Sequence, residues 1–190
     1  KRTIIVGHWG GEEQGLNGSR GYAKDHPEVV KGLQALFNQD NGTGRIVNFS
    51  ASGFTTASGN LARWMTNVPA EIARNSTLSC PGAPAGGGSD NASFVCYGAP
   101  AFGLGALDWS YGQYTWHTQR DTYDKMVVED VRSNATLTAM LTYLAAETLA
   151  RDRRSFDRGP EATGRAGGFP TPSNWPTCTE PLRSSTEYRR

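Results

Sequence analysis

With 190 residues the chain is long enough for one domain with a sizeable core. Its 19 basic residues against 18 acidic ones leave a net charge of +1, which gives no electrostatic reason to expect nucleic acid or an anionic membrane as partner. No apolar run approaches the roughly 18–20 residues that a membrane-spanning helix needs, and 23 glycines with 10 prolines imply a body rich in loops.

The elements follow in chain order. The first residues carry no initiator Met, n-region or h-region, which fits a processed or truncated end at Lys1. Residues 3–8 (TIIVGH) are a β-branched run ending in glycine and predict a buried strand. Residues 15–24 predict a short helix, closed by Asp25-His26-Pro27 because the residue before proline is pushed out of helical space. Residues 31–38 predict a strand that delivers Asp40 to the turn NQDNGTG, and 45–50 alternate as a strand does. Residues 58–67 predict a helix with Ser58 as N-cap, and 72–78 a further strand.

The stretch CPGAPAGGGSDNAS is too small-residued to pack a core and predicts a loop. A helix end and then a strand follow over 94–107. The clearest helix is 122–150, where Leu137, Met140, Leu141, Leu144 and Ala145 fall at i, i+3, i+4, i+7 and i+8 on one apolar face. Two units result: a body over 1–150, and a tail over 151–190, rich in Arg, Pro, Gly and Ser, that is expected to be extended or disordered. Cys96 reads as a small buried hydrophobe, while Cys80 and Cys178 pair only if the tail folds back. The Asn-x-Ser/Thr sequons at Asn17, Asn41, Asn48, Asn75, Asn91 and Asn134 leave the compartment open.

Alternating strands and helices predict an α/β sandwich with a mostly parallel sheet, whose chemistry collects where strands end. Glu12 and Glu13 sit just past the first predicted run. Neighbouring side chains diverge on extended backbone, so one carboxylate can bind a metal while the other faces a water. A solvated turn is the plainer reading of the same pair. Asp40 suits a β-turn equally well. His117 lies among Tyr111, Tyr114 and Trp116, where an imidazole is either a ligand or structural. Asp121 either orients that imidazole or else Asp121 or Thr122 caps the long helix. Asp90 either hydrogen-bonds a substrate or braces the site, or else the loop is flexible and Ser89 or Asp90 caps a short helix.

Taken together, GGEEQGLNGS, NQDNGTG, GGGSDNASF and WHTQRDTYDK resemble, in order and spacing, the di-zinc exopeptidases that include bacterial secreted leucyl aminopeptidases and the plasma glutamate carboxypeptidase type. The resemblance covers residues 3–149. It implies a three-layer αβα sandwich with a mostly parallel mixed sheet lacking its N-terminal strands, and body residues 1–150 as the C-terminal part of a zinc-peptidase catalytic domain. It implies two Zn2+ ions, Glu12 as general base, Glu13 and His117 as ligands of one ion, and Asp40 as a ligand of the other. Asp90, Asn91, Tyr114 and Asp121 would bind substrate or support the ligands. Asn91 stands where many relatives have histidine, and Trp116 where some have tyrosine.

The family's first histidine ligand and bridging aspartate, normally in an upstream His-x-Asp segment, have no counterpart here. His8 belongs to the run leading to the Glu pair and does not replace them. The expected partners are therefore a peptide substrate and the missing N-terminal part of the same enzyme, with the isolated chain inactive or nearly so. A secreted or periplasmic location is implied by the family alone. The alternative is a peptidase-derived structural or interaction module without catalysis.

Overall fold

The computed structural model describes residues 2–54, 57–148 and 175–182. The elements run α1 (Asn17–Asp25), α2 (Pro27–Gly32), β1 (Leu36–Gln39), β2 (Ile46–Ser50), α3 (Ala57–Met65), α4 (Ala70–Ala73), β3 (Thr77–Ser79), α5 (Ala92–Val95), β4 (Ala101–Ala106) and α6 (Val128–Glu147). The sheet order is β1-β4-β2-β3. β1 pairs parallel with β4 (Leu36 opposite Ala101), β2 pairs parallel with β3, and β2 runs antiparallel to β4. Helix α1 packs with α2 and with α5, as α6 does with α3 and α4, while α5 also contacts β4 and α6 contacts β1 and β2. This is the expected α/β sandwich with a mixed sheet.

The core forms where the sequence pattern is strongest. On α6, Leu137, Leu141 and Ala145 are buried, and Met140 and Leu144 pack against the core from its edge. The same buried cluster holds Ile46 and Phe49 of β2, Phe102 of β4, Phe94 of α5 and Leu61 of α3. These large side chains are almost wholly withdrawn from water. At about 25 cal/mol per Å² of apolar surface, such burial is the main force holding the layers together.

Several expectations are corrected. Residues 3–8 join no strand pairing, and Ile4, Ile5 and Val6 are 56%, 56% and 77% exposed. A β-branched run becomes a strand only beside a hydrogen-bonding neighbour, and among the described residues none lies next to it. The segment is held at its ends instead. The Arg2 guanidinium donates to the Ala146 carbonyl at 2.9 Å, and Trp9 stacks on Tyr22 with ring centroids 4.9 Å apart. The strand expected over 31–38 is the end of α2 followed by β1, and that over 72–78 is α4 followed by β3.

Ser58 lies inside α3, its hydroxyl donating back to the Phe54 carbonyl at 3.5 Å, so it is not the cap. The long helix starts at Val128 rather than 122, because 123–125 form a separate 3-10 turn. Thr122 therefore caps nothing in α6; its hydroxyl donates to Asp124 Oδ1 at 2.5 Å.

Cysteine usage also differs from expectation. Cys96 is bonded to Cys178, with Cα atoms 5.0 Å apart, and Cys80 is the free, exposed thiol. Part of the tail thus folds back: Trp175 packs edge-on against Phe54 at 5.2 Å and donates to the Val95 carbonyl at 3.1 Å. The rest of the tail expected to be extended or disordered lies outside the described residues, apart from 175–182.

Candidate active site

Strand direction explains why the candidate residues gather. β1 and β4 are parallel neighbours, so the segments that leave them, Asp40 after β1 and residues 107–117 after β4, emerge at one edge of the sheet. Because β2 is antiparallel to β4, the chain from Asp40 to Arg45 must cross over the end of β4 to enter β2. That crossing is laced to the loop beneath it. Leu107 N–H donates to the Arg45 carbonyl at 2.8 Å, and Asn41 Nδ2 to the Leu104 carbonyl at 3.1 Å. Gly44 permits the approach, since a Cβ there would come 1.9 Å from the Leu107 carbonyl oxygen.

A buried carboxylate fastens the same corner. Asp130, in the first turn of α6, accepts from the Arg45 N–H at 3.0 Å, Arg45 Nε at 3.1 Å and Trp109 Nε1 at 2.9 Å. One turn on, Asn134 accepts from Ile46 N–H at 2.8 Å and donates to the Gly44 carbonyl at 2.8 Å. Asp130 thereby spends its carboxylate on β2 and on the loop instead of on its own helix end.

The Glu12–Glu13 turn is closed by its own backbone. The Glu12 carbonyl accepts from Gly15 N–H at 2.9 Å and Leu16 N–H at 2.7 Å, and the first N–H groups of α1 reach back to Gly10 and Gly11. Gly18 must be glycine for this, because a Cβ would sit 2.5 Å from the Gly10 oxygen. Residues 111–115 form a single π-helical turn, after which His117 takes a left-handed φ of 57°. Its Nε2 lies 2.5 Å from Glu13 Oε1, and its ring packs on Trp116 with centroids 4.2 Å apart.

The electrostatics bind the remaining residues into one neighbourhood. Burial holds the Glu12 carboxyl above its ordinary pKa; the charges of Asp40, Glu13 and Asp90 push the same way, and His117 opposes them. Burial likewise raises Asp90, the Ser19 hydroxyl partly offsets it, and Asp40 adds to it. Tyr111 is raised by burial first, then by Asp121, Asp40 and Glu13. Glu12, Glu13, Asp40, Asp90 and His117 therefore share one field, with Asp121 acting on its Tyr111 side.

Other candidates are placed differently. Tyr114 is about half exposed, with the Arg120 guanidinium 5.1 Å above its ring, and Asp121 is exposed. Asn91 is buried beside Gly103 of β4. Neither Ser89 nor Asp90 caps α5: the helix has no side-chain cap, and Ser89 Oγ accepts from Asn38 Nδ2 at 2.5 Å. Sequence reasoning passed over Tyr111, whose ring lies against Gly42 among the carboxylates. Its place in the aromatic cluster was visible, but which aromatic turns inward was not. Ser19, buried and 2.7 Å from Ser93 Oγ, was missed as well.

The donor set suits zinc in kind, which favours nitrogen and oxygen ligands. Glu13 and His117 supply one of each, and an added cation would relieve the carboxylate excess at Glu12. Asp90 Oδ1 is buried with no hydrogen-bond partner, a further sign of a ligand-accepting site. The set is incomplete, however: among the described residues no three His, Cys, Asp or Glu side chains converge to hold an ion.

Carboxylates and an imidazole gathered at strand ends of an α/β sheet are the equipment of a metal-dependent hydrolase. The model of peptidase family M28 matches residues 1–142. The chain belongs to that family, whose members are metallopeptidases and generally zinc-dependent. The crystal structure of a peptidase M28 precursor from Shewanella amazonensis SB2B is similar, with a TM-score of 0.62 and 26% identity. The similarity covers 74% of this chain but only 31% of that one, so this chain spans less than a third of its neighbour's length. Comparison with curated proteins gives no match.

Proposed function

We propose that this chain forms part of a zinc exopeptidase of the aminopeptidase or carboxypeptidase type, acting in a secreted or periplasmic setting. The observation that carries the reading is Glu12, a carboxyl raised by burial and flanked by carboxylates, next to the Glu13–His117 contact. A base for hydrolysis needs a pKa drawn toward the working pH, and this environment supplies that direction. Glu13 and His117 would hold one zinc and Asp40 would belong to a second. Bound zinc supplies the positive charge that acidifies a water and polarises the scissile carbonyl. Glu12 takes the proton from the attacking water and returns it to the leaving amine. Asp90, Asn91, Tyr114 and Asp121 would line or brace the substrate end.

The remaining ligands, a histidine and a bridging aspartate, would come from a segment outside these residues. The incomplete convergence of ligands supports that division. The disulfide supports an oxidising compartment, and among the described residues no helix is long and apolar enough to cross a membrane. The test is Glu12→Gln in the complete protein. Turnover should fall by about 10²–10⁴-fold, the usual weight of a general base, while zinc content stays unchanged. Matching loss of zinc would mean that Glu12 is a ligand and the two glutamates have exchanged roles.

The partial ligand set also supports a second reading, a peptidase-derived module without catalysis. The assay that separates them is peptide turnover with added zinc. The isolated chain should show little or none, and the longer protein should be active; an inactive longer protein would establish the module.

A further inference from the structure

Residues 175–182 cross the surface and touch both helices that lead away from the site. Trp175 is seated on Phe54 and on the Val95 carbonyl at the end of α5. Cys178 is bonded to Cys96, the residue that closes α5. Glu180 pairs with Lys24 in the last turn of α1. The Leu182 N–H donates to Asn17 Oδ1 at 2.9 Å, and Asn17, the first residue of α1, donates its own N–H to the Gly11 carbonyl at 2.9 Å. The segment is therefore pinned to α5 at one end and to the base of the Glu12–Glu13 turn at the other. α5 begins two residues after Asp90, and α1 and α5 already meet through Ser19 and Ser93 at 2.7 Å.

We infer that residues 175–182 are a thiol-releasable clasp that fixes α1 to α5 and so holds the Glu12–Glu13 turn in register with Asp90. Both cysteines of the clasp are partly exposed, so a dithiol can reach the bond. One thiolate of the dithiol attacks a sulfur of the Cys96–Cys178 bond, forms a mixed disulfide and expels the other cysteine as a thiolate. The second thiol of the reductant then closes its own disulfide. Two electrons and two protons end on Cys96 and Cys178, and the reductant is oxidised. Among the described residues, the exposed Lys24–Glu180 pair, the Trp175 contacts and the Leu182–Asn17 hydrogen bond then remain to hold the segment. Exposed pairs of this kind contribute little.

This goes beyond the peptidase reading and is tested without turnover. The full chain is prepared with Cys80→Ser, so that the free thiol cannot exchange with the bond. Amide hydrogen exchange is then compared before and after dithiothreitol. The Gly15, Leu16, Asn17 and Gly18 amides, which close the glutamate turn, should exchange about tenfold faster or more after reduction. The Leu137 to Leu141 amides of α6 should not change. Equal exchange at the turn in both states overturns the inference, as does a parallel rise across α6, which would mean global loosening. Leu182→Pro in the oxidised protein removes the N–H given to Asn17 while leaving the disulfide in place. It should reproduce the faster exchange at the turn, and unchanged rates there overturn the route through Asn17.

Discussion

Glu13 Oε1 and His117 Nε2 lie 2.5 Å apart although most of the body separates them in sequence. One comes from the turn before α1 and the other from the loop after β4, so their meeting is a product of the fold. Both side chains remain at least half exposed, which leaves the pair accessible to an ion.

Removing either member should therefore weaken zinc binding before it weakens the fold. His117→Ala should lower zinc affinity by roughly tenfold or more, since even supporting residues of metal sites have effects of that size. Competition with a chelator reads the affinity, and circular dichroism checks that the fold persists. Equal affinity in the variant and the parent would remove His117 from the ligand set.

Asp130 should matter to stability more than any other described carboxylate. It is buried, and it satisfies Arg45 and Trp109 at once. Asp130→Ala leaves the Arg45 N–H, its guanidinium and the indole N–H without their acceptor. Loss of a buried partner costs 3–5 kcal/mol at most sites; because Arg45 is about one-third exposed, about 2–3 kcal/mol is expected here. Urea unfolding measures it, and a loss below about 0.5 kcal/mol, the range of ordinary surface changes, would show the network to be dispensable.

Asp90 gives a pH signature. Its folded pKa is raised, so between the ordinary carboxylate value and the raised one the folded chain holds a proton that the unfolded chain releases. Its contribution then runs against the fold as pH rises: no penalty at acid pH, and the full penalty above the raised value. Asp90→Asn keeps the shape and cannot ionise. In metal-free protein, the stability of the variant relative to the parent should climb from about pH 4 toward pH 7. A constant difference across that range would place Asp90 in ordinary solvent.

The sequence made some of this legible and hid the rest for physical reasons. The periodicity of Leu137, Leu141 and Ala145 identified α6 because a helix face can be read from spacing alone. The strand-end rule drew attention to Asp40, which does follow β1, because chain direction, not side-chain detail, sets which loops share an edge; it also put the Glu pair behind a strand that does not form. Residues 3–8 misled, since strand formation belongs to a pair of segments and only one is visible in a local run. The capping alternatives at Ser89 and Thr122 fail because those hydroxyls bond Asn38 and Asp124 instead. Cys96 pairs with Cys178 through a tail fold-back that no local spacing encodes. Tyr111 and Tyr114 look alike in the sequence, and only the fold shows that the Tyr111 ring lands against Gly42.

The absence of a side chain at Gly44 lets the 40–45 crossing lie directly on residue 107. The two stretches thus form one transplantable cassette: moving the His117 loop alone onto a related scaffold would bring it against a turn cut for a different neighbour. A chimaera that exchanges 40–45 together with 107–117, and keeps Asp130 beneath them, carries the corner intact.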